Sequence, residues 1–287
     1  MDVETALAPE TRRTLTIPAR DGYPLAATEF GDPASARVAV LSGAVAVPHA
    51  FYRRFAQALA ERGYRVVTYD YRGVGGSRPT ELRGFEARAR DWALQDQAGV
   101  LDHVRASRPD KLVLIGHSFG GQVAGLLDDA HDIAGMLTLS SQSGHWRLQG
   151  GVQPVTTFLH THVTMPVLAW TFGYMPWSWI GAGEDLPKGV VLEWARWCRD
   201  PRYLLGDATL PLERYAAFTA PVMAYSIDDD TWGTARSVDA MMSAYPNVQR
   251  RHLVPSEVGL DRIGHMGFFR RASHSVWDDA FDWLDDR

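Results

Sequence analysis

Residues 111–127 read KLVLIGHSFGGQVAGLL: an aliphatic run from Lys111 to Ile115 breaks into Gly116-His117-Ser118-Phe119-Gly120-Gly121 and resumes as a helix-compatible stretch from Gln122 to Leu127. A serine flanked two residues away on each side by glycine, at a strand-to-helix junction, has the G-x-S-x-G pattern of a sharp turn that exposes a hydroxyl. The glycines have a physical reason, because a Cβ at either position would hold the strand and helix backbones apart. The pentapeptide gains its meaning from its place after a strand too apolar to have a wet face. A helix beginning here also aims backbone N–H groups and its positive end at the hydroxyl, which suits a developing oxyanion.

Outward from this turn, short aliphatic and β-branched runs recur at Thr14 to Ile17, Leu25 to Glu29, Val38 to Leu41, Arg65 to Tyr69, Met136 to Leu139, Val222 to Tyr225 and His252 to Val254. Between them lie helical patterns: Phe51, Phe55 and Leu59 closing at Gly63; Leu94, Ala98, Leu101 and Val104; and Val276, Ala280, Phe281 and Leu284. Alternating strands and helices predict an α/β architecture with a mostly parallel central sheet flanked by helices. The alternation stops between Gln142 and Leu212, where no strand is evident and six of the ten tryptophans gather. This stretch reads as a helical cap over the sheet, giving a core of residues 1–141 and 213–287 and a cap of residues 142–212. Asp185-Leu186-Pro187 reads as a capped helix start with proline in the first turn. Most of the cap tryptophans are expected to pack it onto the core, with the remainder lining a pocket.

The 287 residues are 46% hydrophobic and 22% charged, with a formal charge of -5. That balance excludes dominant disorder and argues against a nucleic-acid or anionic-membrane surface, so a small-molecule or protein partner is expected. A single cysteine, Cys198, excludes an internal disulfide and a multi-cysteine zinc site. The acidic start, Met1-Asp2-Val3-Glu4-Thr5, lacks the charge and apolar run of an export signal, and no apolar stretch approaches the roughly 18 residues of a spanning helix. A cytoplasmic protein is expected.

The elbow resembles that of the α/β-hydrolase superfamily, and other segments match it. Asp70-Tyr71-Arg72-Gly73-Val74-Gly75-Gly76-Ser77 is similar to the family's D-x-R-G-x-G-x-S segment and reads as a structural glycine-rich turn. It is no dinucleotide fingerprint, since the third glycine is missing. The family's chain order is nucleophile, acid, histidine. After the strand at Val222 to Tyr225 come Asp228, Asp229 and Asp230; the resemblance places the acid at Asp230, with Asp229 as rival, and at least one of the three reads as a solvated turn. Thr138 to Gln142, where some members carry the acid, holds no carboxylate. The histidine falls at His265 in Gly264-His265-Met266-Gly267-Phe268-Phe269, while His117 is expected to pack or orient the turn. The family's oxyanion loop matches Ser42-Gly43-Ala44, with serine where histidine is usual; the resemblance implies the backbone N–H groups of Ala44 and Phe119 as donors. The acidic pair before Thr231 and the histidine loop resemble a branch grouped with serine-aminopeptidase-like hydrolases.

The resemblance implies a serine hydrolase that cleaves an ester, or an amide, through an acyl-enzyme on Ser118, with His265 as base, Asp230 as orienting acid and no metal or cofactor. A serine here argues against dehalogenase and epoxide-hydrolase chemistry, which needs a carboxylate at the elbow. Three other readings stay open: an acyltransferase with the same triad, a binding module that has lost catalysis, and cofactor-independent oxygenase or perhydrolase chemistry. The tryptophan-rich cap points to a substrate with an apolar or aromatic group. Oligomeric state is not legible.

Overall fold

Eight strands form one sheet in the computed structural model, which describes residues 12–181 and 183–287. The acidic start at Met1 to Thr5, expected to carry no export signal, lies outside the described residues. The strands are β1 (Arg12–Pro18), β2 (Pro24–Phe30), β3 (Arg37–Ser42), β4 (Arg65–Tyr69), β5 (Lys111–His117), β6 (Ile133–Leu139), β7 (Val222–Ile227) and β8 (Val248–Leu253), in the order β1-β2-β4-β3-β5-β6-β7-β8. The pairs β1/β2 and β2/β4 are antiparallel and the rest are parallel. β4 and β7 are buried along their whole length, because helices cover both faces of a parallel sheet. β8, at the edge, exposes Gln249 to His252. The serine turn thus leaves the carboxyl end of β5, in mid-sheet, beside the ends of β3 and β6.

One face of the sheet packs under α1 (Arg53–Glu61) and the C-terminal helix Trp277–Asp285, with Phe55, Phe268, Phe269, Trp277 and Phe281 meeting ring on ring. The other face packs under α2 (Ala98–Arg105) and the helix Ala235–Met242, and the segment between β6 and β7 joins the same apolar core. The periodic stretch containing Leu94 begins as a π-helical turn over Trp92–Gln97 before α2. That widened turn buries Asp96 and Gln97 together with Trp92 and Ala93. Asp96 there accepts from the Arg72 backbone at 2.9 Å and from its Nε at 2.7 Å.

The helix after the serine is shorter than the sequence suggests. It comprises α3 (Phe119–Gln122) and a 3-10 turn over Val123–Leu126. Tyrosines supply the reason: Tyr215 Oη donates to the Gln122 carbonyl at 2.6 Å, and Tyr245 Oη donates to the Gly121 carbonyl at 2.9 Å and accepts from Gly125 N–H at 2.8 Å. Carbonyls that would continue the helix are thereby capped from outside.

Between β6 and β7 the chain is mostly helical: α4 (Gln153–Leu159), a π-helical turn His160–Thr164, α5 (Met165–Phe172) and α6 (Lys188–Arg199). It also holds a two-residue antiparallel ladder, Tyr174–Met175 with Leu186–Pro187, where no strand was expected. Leu186 and Pro187 therefore end a ladder instead of entering a helix. α6 starts at Lys188, and Asp185 accepts from Ser178 N–H at 3.0 Å and pairs with Arg78 at 3.2 Å instead of capping. Of the six tryptophans here, Trp177 and Trp197 are buried, while Trp170 and Trp179 face solvent, against the expectation that they serve the core or a pocket. Among the described residues no helix is long and apolar enough to cross a membrane.

Candidate active site

Ser118 sits at φ 50°, ψ −114°, a conformation that costs a non-glycine residue on the order of 1–3 kcal/mol and persists only when its surroundings impose it. They do so by contact. A Cβ on Gly116 would lie 2.3 Å from Gly121 Cα, and one on Gly120 would lie 2.1 Å from the Ser42 carbonyl oxygen. Only glycine lets β3, β5 and α3 converge here. Ser118 is buried, and among the described residues the partner of its hydroxyl is Gln142 Oε1, at 3.4 Å.

The three adjacent aspartates after β7 have three different surroundings. Asp228 is exposed and lies 3.5 Å from His252. Asp229 accepts from the backbone N–H groups of Ile263, at 3.0 Å, and Gly264, at 2.8 Å, holding the loop that carries His265. Asp230 is buried, accepts from His265 Nδ1 at 2.8 Å through Oδ2, and takes Trp232 N–H and Gly233 N–H on Oδ1 at 2.9 and 2.8 Å. Burial alone would raise the Asp230 carboxyl, but the adjacent His265 and these N–H donors outweigh it and bring it down to about 2. The structure thus joins Asp230, not Asp229, to the imidazole.

His117, buried beside the serine, is held at both ring nitrogens. Its Nε2 donates to the His265 carbonyl at 2.9 Å, and its Nδ1 accepts from Tyr52 Oη at 2.9 Å. Burial, reinforced by nearby His265, pushes His117 down to about 3, so the ring is neutral. Tyr52 Oη in turn accepts from Ala44 N–H at 2.8 Å. Ala44 N–H, expected as an oxyanion donor, is here turned onto a tyrosine. A buried phenol must be satisfied, and Gly43 makes room for it, since a Cβ there would lie 2.9 Å from the Tyr52 ring. Phe119 N–H, at the start of α3, has no protein acceptor among the described residues. Ser42, which stands where histidine is usual, bonds Tyr69 Oη at 2.9 Å and accepts from Gln97 Nε2 at 3.0 Å.

The segment at Asp70 to Ser77 is structural, as its glycines suggest. Asp70 accepts from His49 N–H at 2.6 Å and Gly76 N–H at 2.8 Å, and Arg72 pairs with Asp96 and Asp21. Three polar residues were not singled out from sequence. Trp194 Nε1 donates to Tyr203 Oη at 2.9 Å, and Tyr203 donates to Gln122 Oε1 at 2.9 Å. Gln122 Nε2 reaches Gln142 Oε1, the acceptor for Ser118, at 3.5 Å. Gln142 follows β6, where an acid was sought, and a polar residue at that strand end was the available signal. A surface concavity of about 270 Å³ lined in part by Arg20, Asp128 and Arg214 contains none of these groups. Among the described residues the one cluster with metal-ligand spacing, Asp129, His131 and Asp132, is largely exposed, and Arg105 already occupies Asp132.

The arrangement can hold the His265 imidazole in one tautomer, on a loop bonded to the residue before a strained serine, and offer an N–H to an oxyanion. The solved structure of an esterase from Pyrococcus furiosus superposes with TM-score 0.63 at 15% identity, over 99% of this chain and 96% of that one. An esterase from Exiguobacterium antarcticum gives 0.64 at 15%, over 95% and 100%. A thermophilic esterase from Thermogutta terrifontis gives 0.60 at 17%, over 96% and 98%. A sequence comparison with curated proteins found no match. Residues 38–285 match the model of the alpha/beta hydrolase family, and with the sheet order and the elbow in place the chain belongs to that family.

Proposed function

We propose that the protein is a cytoplasmic serine hydrolase that cleaves a small-molecule ester, with no metal or cofactor, through an acyl-enzyme on Ser118. The observation that carries this reading is the 2.8 Å bond from His265 Nδ1 to buried Asp230, on a loop whose His265 carbonyl accepts from His117, the residue before a serine held at φ 50°. Ser118 Oγ attacks the ester carbonyl while His265 Nε2 takes its proton, and Asp230 holds the Nδ1 proton and stabilises the imidazolium. Phe119 N–H receives the developing oxyanion. His265 then protonates the departing alcohol, and water, activated by the same imidazole, releases the acid. Before attack the serine hydroxyl leaves Gln142 for His265, a tightening expected when substrate enters. The esterase neighbours support an ester as the scissile group, and the aromatic residues between β6 and β7 support an apolar or aromatic substrate group.

Labelling by a fluorophosphonate tests the nucleophile. A screen of p-nitrophenyl esters of increasing chain length beside aminoacyl amides tests the leaving group. Labelling at Ser118 together with ester turnover is expected; no labelling and no turnover would overturn the reading in favour of a binding module. Turnover that rises with added alcohol and yields a transfer product would make the enzyme an acyltransferase.

A further inference from the structure

α4, the π-helical turn and α5 run as one unbroken helix from Gln153 to Phe172, 20 residues and about 30 Å long. Its polarity is inverted. The inward row is Thr157, Thr161, Met165 and Ala169, all buried, whereas Val152, Val155, Leu159, Val163, Val167 and Trp170 point outward at 52 to 71% exposure. A monomer's surface helix places its apolar stripe against the core. Here two threonines face in and a row of valines faces out, a pattern that makes sense only if the outer face is covered.

We propose that a second copy of this chain covers it, with the two helices crossing about a two-fold axis. Charge is the first argument. From Leu148 to Gly183 there is no Asp, Glu, Lys or Arg, in a chain where 22% of residues are charged. A two-fold contact sets a patch against itself, so any charge near the axis would meet its own copy; this segment has none to repel, and the Lys188 ammonium, 4.5 Å over the Trp170 ring, stands at the end of the row. Area is the second. With Phe158 and Trp179 at its margins the face gathers every large apolar side chain that stands exposed among the described residues, at 39 to 71% exposure, a patch of the several-hundred-Å² order that marks an interaction site and that a stable complex buries per partner. Shape is the third, since Val155, Leu159, Val163 and Val167 form a four-residue ridge of the kind that interdigitates with its like at a crossing of about −50°. A bilayer fits less well: interfacial helices carry Lys and Arg on the polar face, this helix carries neither, and the chain's formal charge is -5.

Sedimentation velocity on the intact protein at micromolar concentration tests the proposal. The wild type is expected at twice the 31.9 kDa chain mass, with Val163→Glu and Val155→Glu each raising the dimer dissociation constant by at least about 100-fold and Val163→Ile leaving it unchanged. Both glutamates replace exposed side chains, and unchanged circular dichroism melting will show that the fold is kept. A monomeric wild type, or a dimer that survives both glutamates, overturns the proposal. A monomer that floats with phosphatidylcholine vesicles overturns it in favour of a lipid surface.

Discussion

His117 Nε2 donates to the backbone carbonyl of His265 at 2.9 Å, tying the nucleophile's strand directly to the loop that carries the candidate base. With Tyr52 on the other nitrogen, the neutral ring links β5, the loop after β3 and the histidine loop. Because its folded value, about 3, is below that of a free imidazole, the unfolded chain binds more protons between those two values. Stability is therefore full above the unfolded value and falls as pH drops below it. Urea unfolding is expected to show His117 costing about 2–3 kcal/mol between pH 7 and pH 4.5. His117→Gln should remove that part of the slope; an unchanged slope would show that the ring is not held neutral.

Ser118→Ala is expected to leave the fold intact and lower kcat on the best ester by on the order of 10³-fold or more. Steady-state kinetics and fluorophosphonate labelling read the change together. Activity within tenfold of wild type would remove Ser118 from the nucleophile's role.

The adjacent aspartates should separate cleanly. Asp230→Asn keeps the shape but loses the charge that fixes the imidazole tautomer, and kcat should fall by up to about 10⁴-fold, the magnitude known for a serine-protease triad. Asp229→Ala leaves the Ile263 and Gly264 N–H groups unpaired and should cost about 1–3 kcal/mol of stability with a smaller loss of rate. Asp228→Asn should change little. Loss of activity in Asp229→Asn with Asp230→Asn near wild type would reverse their roles.

With Asp230 held at about 2, the carboxylate stays ionised through mild acid and supplies no acid limb there to a kcat/KM profile. The depressed carboxyl adds on the order of 2 kcal/mol of stability above the ordinary carboxylate range, lost as pH falls from there through about 2. Asp230→Asn should remove that part of the pH dependence of urea unfolding. An unchanged dependence would show that the carboxyl is not held ionised by its surroundings.

Seven strands and the elbow were legible because their signals are local: β-branched runs, and two glycines flanking one serine; β8 was read at His252 to Val254 but runs Val248–Leu253, because an exposed edge strand carries no apolar run. The separation of Asp229 from Asp230 could be ordered from sequence only by strand alignment. That Asp229 would hold the backbone of a loop about 35 residues away had no local signal. The bond from Ala44 N–H was hidden for a similar reason, since the hydroxyl that takes it belongs to a residue eight positions on. The apolar content of residues 152–170 was visible, but which row of the helix would turn outward is decided by tertiary packing.

The row from Trp194 through Tyr203, Gln122 and Gln142 to Ser118 has a fixed direction. An indole N–H can only give a proton, so Tyr203 must pass its own to Gln122, whose amide is then locked against flipping. Gln142 Oε1 ends the row by receiving two donors, one of them the serine. The Ser118 hydroxyl at rest thus turns its hydrogen toward an amide oxygen 3.4 Å away. Such an enzyme should react sluggishly with small electrophiles that fail to disturb Gln142, and its selectivity would begin with the resting orientation of one O–H bond, governed by an indole some 76 residues along the chain.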